Sequence, residues 1–318
     1  MKQVLLLLIL SLFLTSCRIP GDSRPPTEKE IVRNIFGGLV ETNYNSQGQV
    51  TKIYCPNRRL SNGANTCEIE ERYLPQIGQL TELRVLSIQK STLTTLPPEI
   101  WGLRKLESLQ IESDVTTFSP EVGQLTNLEF LAIIGNYSEI PTEIERLTKL
   151  NMLFLGGRFN AIPREMGQLT NLETFWIGGN FTSLPPEIGQ LTHLEHLRIS
   201  GDLTILPPEI GNLTNLKSLW ITANLRILPP EIGQLTDLHE FNLHHNDLTT
   251  LPVEIGQLKN LRRFDLRNNE LVILPPEIGQ LKNLENLILS DNNLNSFPPE
   301  IDKLRLTGTD IVGVNSQN

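Results

Sequence analysis

The octapeptide LPPEIGQL occurs verbatim three times, at positions 184–191, 228–235 and 274–281. Near copies begin at Leu96, Phe118, Ile140, Ile162, Leu206, Leu251 and Phe297. The spacing is 22 residues from Leu96 to Leu228 and 23 from Leu228 to Phe297. A repeat this short constrains the fold more than chain length does, although 318 residues would otherwise imply two domains. A unit with one short strand cannot bury its own leucines. Units must therefore stack into a solenoid with a continuous core.

Each unit continues with a form of LxxLxLxxN, as in LHEFNLHHN at 238–246, and ten such segments begin at positions 83, 106, 128, 150, 172, 194, 216, 238, 261 and 284. In LETFWI, strand alternation turns Leu172, Phe175 and Ile177 inward. Leu184, Ile188 and Leu191 fill the rest of the same slice. Pro185 and Pro186 suit the start of a short helical or 3₁₀ turn, with Glu187 near its positive end. The glutamates of that column, from Glu99 to Glu300, form an acidic, solvated convex edge.

This pattern resembles the leucine-rich-repeat family over residues 74–304. The resemblance implies an α/β solenoid, a horseshoe with a parallel concave sheet and short 3₁₀ or helical turns on the convex side. It also gives the asparagine column (Asn136, Asn180, Asn224, Asn246, Asn269, Asn292) the task of satisfying buried backbone groups at the turn. Asp114 and Asp202 would substitute in part, and Ser91 and Arg158 would leave looser turns. Residues 74–303 thus form the solenoid. Residues 31–73 form an N-terminal cap, with 48–60 as a degenerate first strand presenting Val50, Ile53 and Cys55 inward. Residues 304–318 form a C-terminal cap and tail, KLRLTGTDI giving a truncated last strand. Cys55 and Cys67 are expected to pair as a disulfide in an exported chain, a metal pair being the alternative.

The first residues read as a targeting segment. Lys2 precedes an apolar run from Val4 to Leu14, too short for the roughly 20 residues of a bilayer span but suited to a signal peptide. Leu14-Thr15-Ser16-Cys17 matches the bacterial lipobox. Residues 1–16 are accordingly read as a lipoprotein signal peptide, and Cys17 as a lipidated N-terminus anchoring the chain to a membrane. Residues 17–30 become a proline-rich tether. Thr27 to Glu30 has capping-box spacing for a short helix beginning near Glu28. Arg18 after the cysteine is compatible with onward export to an outer membrane or cell surface.

On the concave face, one slot in successive units reads Ser87, Gln110, Ala132, Phe154, Trp176, Arg198, Trp220, Asn242, Asp265 and Ile288. Phe154, Trp176, Arg198 and Trp220 would form a row roughly 14 Å long across four strands. Phe130, Met152 and His196 widen it two positions earlier. Two positions later stand Ile134, Gly156, Gly178, Ser200 and Thr222, mostly small, and beyond them Gly157, Gly179 and Gly201, so an apolar trough is expected beside the aromatics. Asn242, His244, His245, Arg263, Asp265 and Arg267 would supply a polar flank. An apolar centre with a charged rim is the anatomy of a protein-binding surface, the alternative being side chains that stack only to stiffen the sheet. A protein partner on this face is the reading, in adhesion or host interaction, or as a periplasm-facing scaffold.

Other classes fit poorly. A formal charge of −9 argues against broad nucleic-acid binding. There is no phosphate-binding glycine loop, dinucleotide fingerprint or HExxH helix. His196, His244 and His245 share the concave face without a serine or cysteine nucleophile, so neither catalysis, a metal nor a cofactor is expected. Oligomeric state is not legible.

Overall fold

The computed structural model describes residues 25–36, 40–54, 71–91, 93–306 and 308–313. Cys17, Cys55 and Cys67 lie outside the described residues, so the lipidation site and the proposed disulfide do too.

The chain enters through helix α1 (Glu28–Phe36). Its capping box forms as read: the Thr27 amide donates to Glu30 Oε2 at 2.8 Å, and the Glu30 amide to Thr27 Oγ1 at 3.3 Å. Ile31, Val32, Ile35 and Phe36 cover the open end of the core. Strand β1 (Glu41–Tyr44) then pairs antiparallel with β2 (Val50–Tyr54). Val50 and Ile53 face inward, both fully buried. The sequence ETNY lacks the apolar alternation that marks a strand, and this hairpin was not legible.

From β2 onward each strand pairs parallel with the next in chain order, giving a sheet of thirteen strands among the described residues. They are β3 (Val85–Ser91), β4 (Ser108–Ser113), β5 (Phe130–Ile134), β6 (Met152–Gly156), β7 (Thr174–Gly179), β8 (His196–Gly201), β9 (Ser218–Thr222), β10 (Glu240–Asn242), β11 (Arg263–Asp265), β12 (Asn286–Ile288) and β13 (Asp310–Val312). Helix α2 (Glu300–Leu306) occupies the last LPPEI slot and precedes β13, so the C-terminal segment read as strand divides into helix and strand. Every intervening LPPEI element is a 3₁₀ turn, as at Pro186–Gln190, whose first residue is the proline.

The core is one slice repeated. In the unit beginning at Leu172, the side chains of Leu172, Phe175, Phe181, Ile188 and Leu191 are fully buried. Gly189 is set by the next slice: a Cβ there would lie 2.6 Å from the Glu209 carbonyl oxygen and 2.9 Å from its Cβ. The glutamate column thus packs its stem over the glycine of the unit before it.

The two unit lengths have different turns, and this corrects the asparagine column. In the 23-residue units the chain turns through a left-handed residue, His245 (φ 56), Asn268 (φ 54) or Asp291 (φ 57). That turn points the next asparagine into the core. Asn246 Nδ2 donates to the Ile221 and Leu243 carbonyls, both at 2.8 Å, while its Oδ1 accepts from the Ala223 and Leu225 amides. Asn269 and Asn292 repeat the pattern.

In the 22-residue units the strand runs on, and Asn180 and Asn224 are exposed, as are Asp114, Arg158 and Asp202. Backbone pairing identifies the missing residue. The Asn180 amide donates to the Phe159 carbonyl as the Asp247 amide does to Leu225, so Asn180 aligns with Asp247. The residue that the short unit lacks is the buried asparagine itself. Arg158 therefore sits in the exposed slot that Asn180 and Asn224 also hold, and its amide bonds to the Tyr137 carbonyl at 2.8 Å as theirs do to Phe159 and Leu203.

In three consecutive short units an aromatic stack fills the vacated space. Phe118 meets Tyr137 edge-on at 5.4 Å, Tyr137 stacks on Phe159 at 5.7 Å, and Phe159 on Phe181 at 5.8 Å. Tyr137 also donates its hydroxyl to the Ile133 carbonyl at 3.0 Å, the group that an asparagine amide would otherwise reach. Burial pushes this phenol's pKa well above its ordinary value. Gly179 is required here, because a Cβ would fall 2.7 Å from the Phe159 ring. Gly201 has φ +142, and a Cβ on it would lie 1.9 Å from the Gly179 carbonyl oxygen.

A second ladder runs along the other side of each slice. Asn127, Asn171, Asn215, Asn260 and Asn283 each donate Nδ2 to a carbonyl of the preceding unit at 2.7–2.9 Å. His193 uses Nδ1 for the same contact. Asp237 holds the equivalent slot with no proton to give. Asp237→Asn is expected to add a bond to the Thr214 carbonyl and stabilise the protein by about 0.5–1 kcal/mol. A thermal melt unchanged or lowered would contradict that ladder.

Candidate interaction surface

The strand register brings one row together. Ala132, Phe154, Trp176, Arg198 and Trp220 are successive partners on β5 to β9. Core side chains flank each of them, so alternation alone sends the row to the concave side. Trp176 is 39% exposed. Phe154 and Trp220 are half-buried, each shielded by its neighbours in the row rather than by the core.

The contacts run from one end to the other. Phe130 and Phe154 lie 5.5 Å apart, and Phe154 meets the Trp176 ring edge-on at 5.5 Å. Arg198 Cζ sits over Trp176 at 4.3 Å and over Trp220 at 5.3 Å, so the guanidinium is held between two indoles. Each such contact contributes about 0.5–1 kcal/mol at an exposed site. Arg198 makes no hydrogen bond or ion pair with the described residues.

Two troughs flank the row. One, of about 170 Å³, is floored by Gly156 and Gly178 and bounded by Ile134, Phe154, Trp176, Arg198 and Ser200. The other, of about 230 Å³, lies among Phe154, Thr174, Trp176, His196, Arg198, Ser218 and Trp220. The expected trough is present, but not all the glycines make it. The space beside Gly157 and Gly179 is filled from within by the aromatic stack, and only Gly156 and Gly178 open to the concave side. Ser200 lines the first trough as read, and Thr174 and Ser218 line the second although reading the central slot alone did not select them. Their positions two residues from that slot were the available signal.

The remaining predicted residues divide. Met152 is 41% exposed, and His196, Arg198, His245 and Arg263 are exposed, with His244 and Arg267 half-buried. Asn242 and Asp265 are not open to a partner. Asn242 is buried, accepting from the His244 amide at 3.0 Å and contacting the His244 ring. Asp265 is fully buried, accepting from the Arg267 amide at 3.2 Å with Arg267 Nη2 2.8 Å from its Oδ2. Both side chains are short and fold back on the next residues of their own turn, which takes them out of the proposed rim. Arg263 stands on β11, two strands beyond Trp220, and does not join the aromatic row.

His244 is depressed below the ordinary histidine pKa, chiefly by burial, while the Asp265 carboxylate pulls the other way. The unfolded chain therefore takes up the proton first, near pH 6.5, and this group's contribution to stability is lost as pH falls through that region. NMR titration is expected to place His244 below about 6.5 and to move it lower still in Asp265→Asn. A rise on that substitution would contradict the assignment.

A parallel sheet with one strand per unit and 3₁₀ turns opposite it defines a solenoid repeat scaffold. The comparisons with known proteins agree. The family described as "Leucine-rich repeat region" matches residues 62–178 and 154–247, and that described as "Leucine rich repeat" matches 236–294. The chain belongs to the leucine-rich-repeat family. No curated protein matches it. Among solved structures, a leucine-rich-repeat protein of Leptospira interrogans is 36% identical with a TM-score of 0.68, covering 74% of this chain and 62% of its own. The chain thus spans less than two thirds of that relative. The Arabidopsis receptor kinase HAESA, solved with the peptide hormone IDA and the co-receptor SERK1, is 25% identical with a TM-score of 0.66, over 86% of this chain and 47% of its own. An internalin of Listeria monocytogenes, 17% identical with a TM-score of 0.58 over 97% and 94%, shares the fold. The fold is typical of non-catalytic protein-interaction scaffolds.

Proposed function

We propose that this chain is an exported bacterial lipoprotein, tethered to an envelope membrane through Cys17, whose concave face binds a protein partner in adhesion or host interaction. The observation that carries the binding half is the row of Phe154, Trp176, Arg198 and Trp220, which leaves Trp176 39% exposed on a sheet whose other face is fully packed. Aromatic and arginine side chains dominate binding energies when a partner desolvates them. HAESA, of similar fold, is seen with a peptide hormone, which supports a peptide or protein as the class of partner. The anchoring half rests on the apolar run and Leu14-Thr15-Ser16-Cys17.

Partner capture by the purified chain, wild type against a variant carrying Trp176→Ala and Trp220→Ala, tests the surface. Capture retained by the variant sinks the concave-face reading. Incorporation of radioactive fatty acid, lost in Cys17→Ser, tests the anchor. Protease shaving of intact cells tests the location: a repeat domain cleaved only after the outer membrane is breached rules out adhesion and leaves a periplasm-facing scaffold.

A further inference from the structure

We propose, building on the concave-face reading, that the aromatic row is a receptor for a carboxylate carried on an extended peptide, with Arg198 as the anion-binding group. The guanidinium has five N–H donors, and none meets an acceptor among the described residues. Its position is nevertheless fixed, 4.3 Å and 5.3 Å from two indole rings. A side chain ordered before its partner arrives has already lost its rotamer freedom, which is a large part of the cost of forming an ion pair.

The surroundings select the anion. Across β5 to β12 the concave positions carry three arginines (Arg198, Arg263, Arg267) against two carboxylates (Glu240, Asp265) and no lysine, in a chain of formal charge −9. Arg267 is taken up by Asp265 at 2.8 Å, so Arg198 is the cation that the aromatic row leaves unneutralised. One isolated guanidinium matches a single-charge carboxylate, which it can grip through two parallel N–H bonds. The apolar walls lower the local dielectric and strengthen that pair.

The two troughs add the rest of the ligand. Arg198, Trp176 and Phe154 belong to both, forming the wall between them, and each trough holds one serine hydroxyl, Ser200 or Ser218. They lie on opposite sides of the row along the strand direction, from the level of Thr174 to that of Gly178, about 13 Å of extended chain. An extended peptide following the strands would seat an acidic residue on Arg198 and apolar side chains two positions before and after it, one in each trough.

The test uses the purified full chain and tryptophan fluorescence with three capped pentapeptides, Leu-Ser-Glu-Ser-Leu and its counterparts with Gln or Lys at the centre. The Glu peptide is expected to bind about tenfold more tightly than the Gln peptide. The Lys peptide should be weakest. Arg198→Gln should erase the Glu preference while lowering the melt by no more than a few degrees, and Arg198→Lys should restore only part of it, lacking the planar fork. Failure of the Glu peptide to bind saturably, equal binding of all three, or a Glu preference that survives Arg198→Gln each overturns the inference. Partner capture separates the two levels: loss in the double tryptophan variant but full retention in Arg198→Gln overturns the carboxylate assignment and leaves the concave-face reading standing.

Discussion

Phe159→Ala is expected to destabilise the protein by about 3–5 kcal/mol, the cost of deleting a fully buried ring and leaving a cavity that its neighbours cannot close. The neighbours are unable to move in because they are ordered by the same stack. Tyr137 lies 5.7 Å away on one side and Phe181 5.8 Å on the other, and Gly179 places backbone against the ring's edge. In a solenoid each unit touches only the next, so the loss weakens two interfaces and not the whole chain. Denaturation should therefore split into two transitions, with amide exchange rising first across β5 to β8. Phe159→Leu should cost under about 2 kcal/mol, since Leu203, Leu225, Leu248 and Leu271 already fill the corresponding slot of other units. A single transition with a loss below about 1 kcal/mol for the alanine variant would show that the stack is not what holds the short units together.

Trp176→Ala combined with Trp220→Ala is expected to behave in the opposite way. Neither indole belongs to the core, and each contacts Arg198 at a solvated site where such a contact contributes about 0.5–1 kcal/mol. The melt should fall by no more than a few degrees, at roughly 2–4 °C per kcal/mol for a domain of this size. Partner binding should weaken by roughly thirtyfold or more, because residues of this type often each carry about 2 kcal/mol of binding energy. Comparable losses of folding and of binding would instead identify the row as reinforcement of the sheet.

Much of this architecture was legible before any coordinates. The repeat period gave the stacking, alternation within LETFWI gave the inward leucines and the outward Trp176, and the paired prolines gave the 3₁₀ turns. Each depends only on local periodicity, which the chain carries in its order of residues. Other features were not legible, and two of them depend on how one unit meets another. The difference between 22 and 23 residues removes a buried asparagine, and in three of the short units a ring, Tyr137, Phe159 or Phe181, takes up the space. Asn171 and its counterparts carry no mark of their ladder in the local pattern, because their acceptors lie one unit back. At the candidate site, alternation placed Asn242 and Asp265 on the concave side correctly. It could not show that short polar side chains there would be consumed by the amides and the arginine of their own turns.

The seam between the two kinds of unit has a consequence for how such a gene could lengthen. Asn246, the first of the three turn asparagines that enter the core, reaches back across the seam to the Ile221 carbonyl and the Ala223 and Leu225 amides of the last short unit. A long unit can therefore follow a short one with every polar group matched. The opposite order occurs near the N-terminal end, where the segment at Leu83 lies 23 residues before that at Leu106, and there the Ser113 hydroxyl donates back to the Ser91 and Leu93 carbonyls. Unequal crossing-over within either block would keep each unit beside a neighbour of its own kind. The aromatic units, and with them the length of the platform, lie upstream of that join.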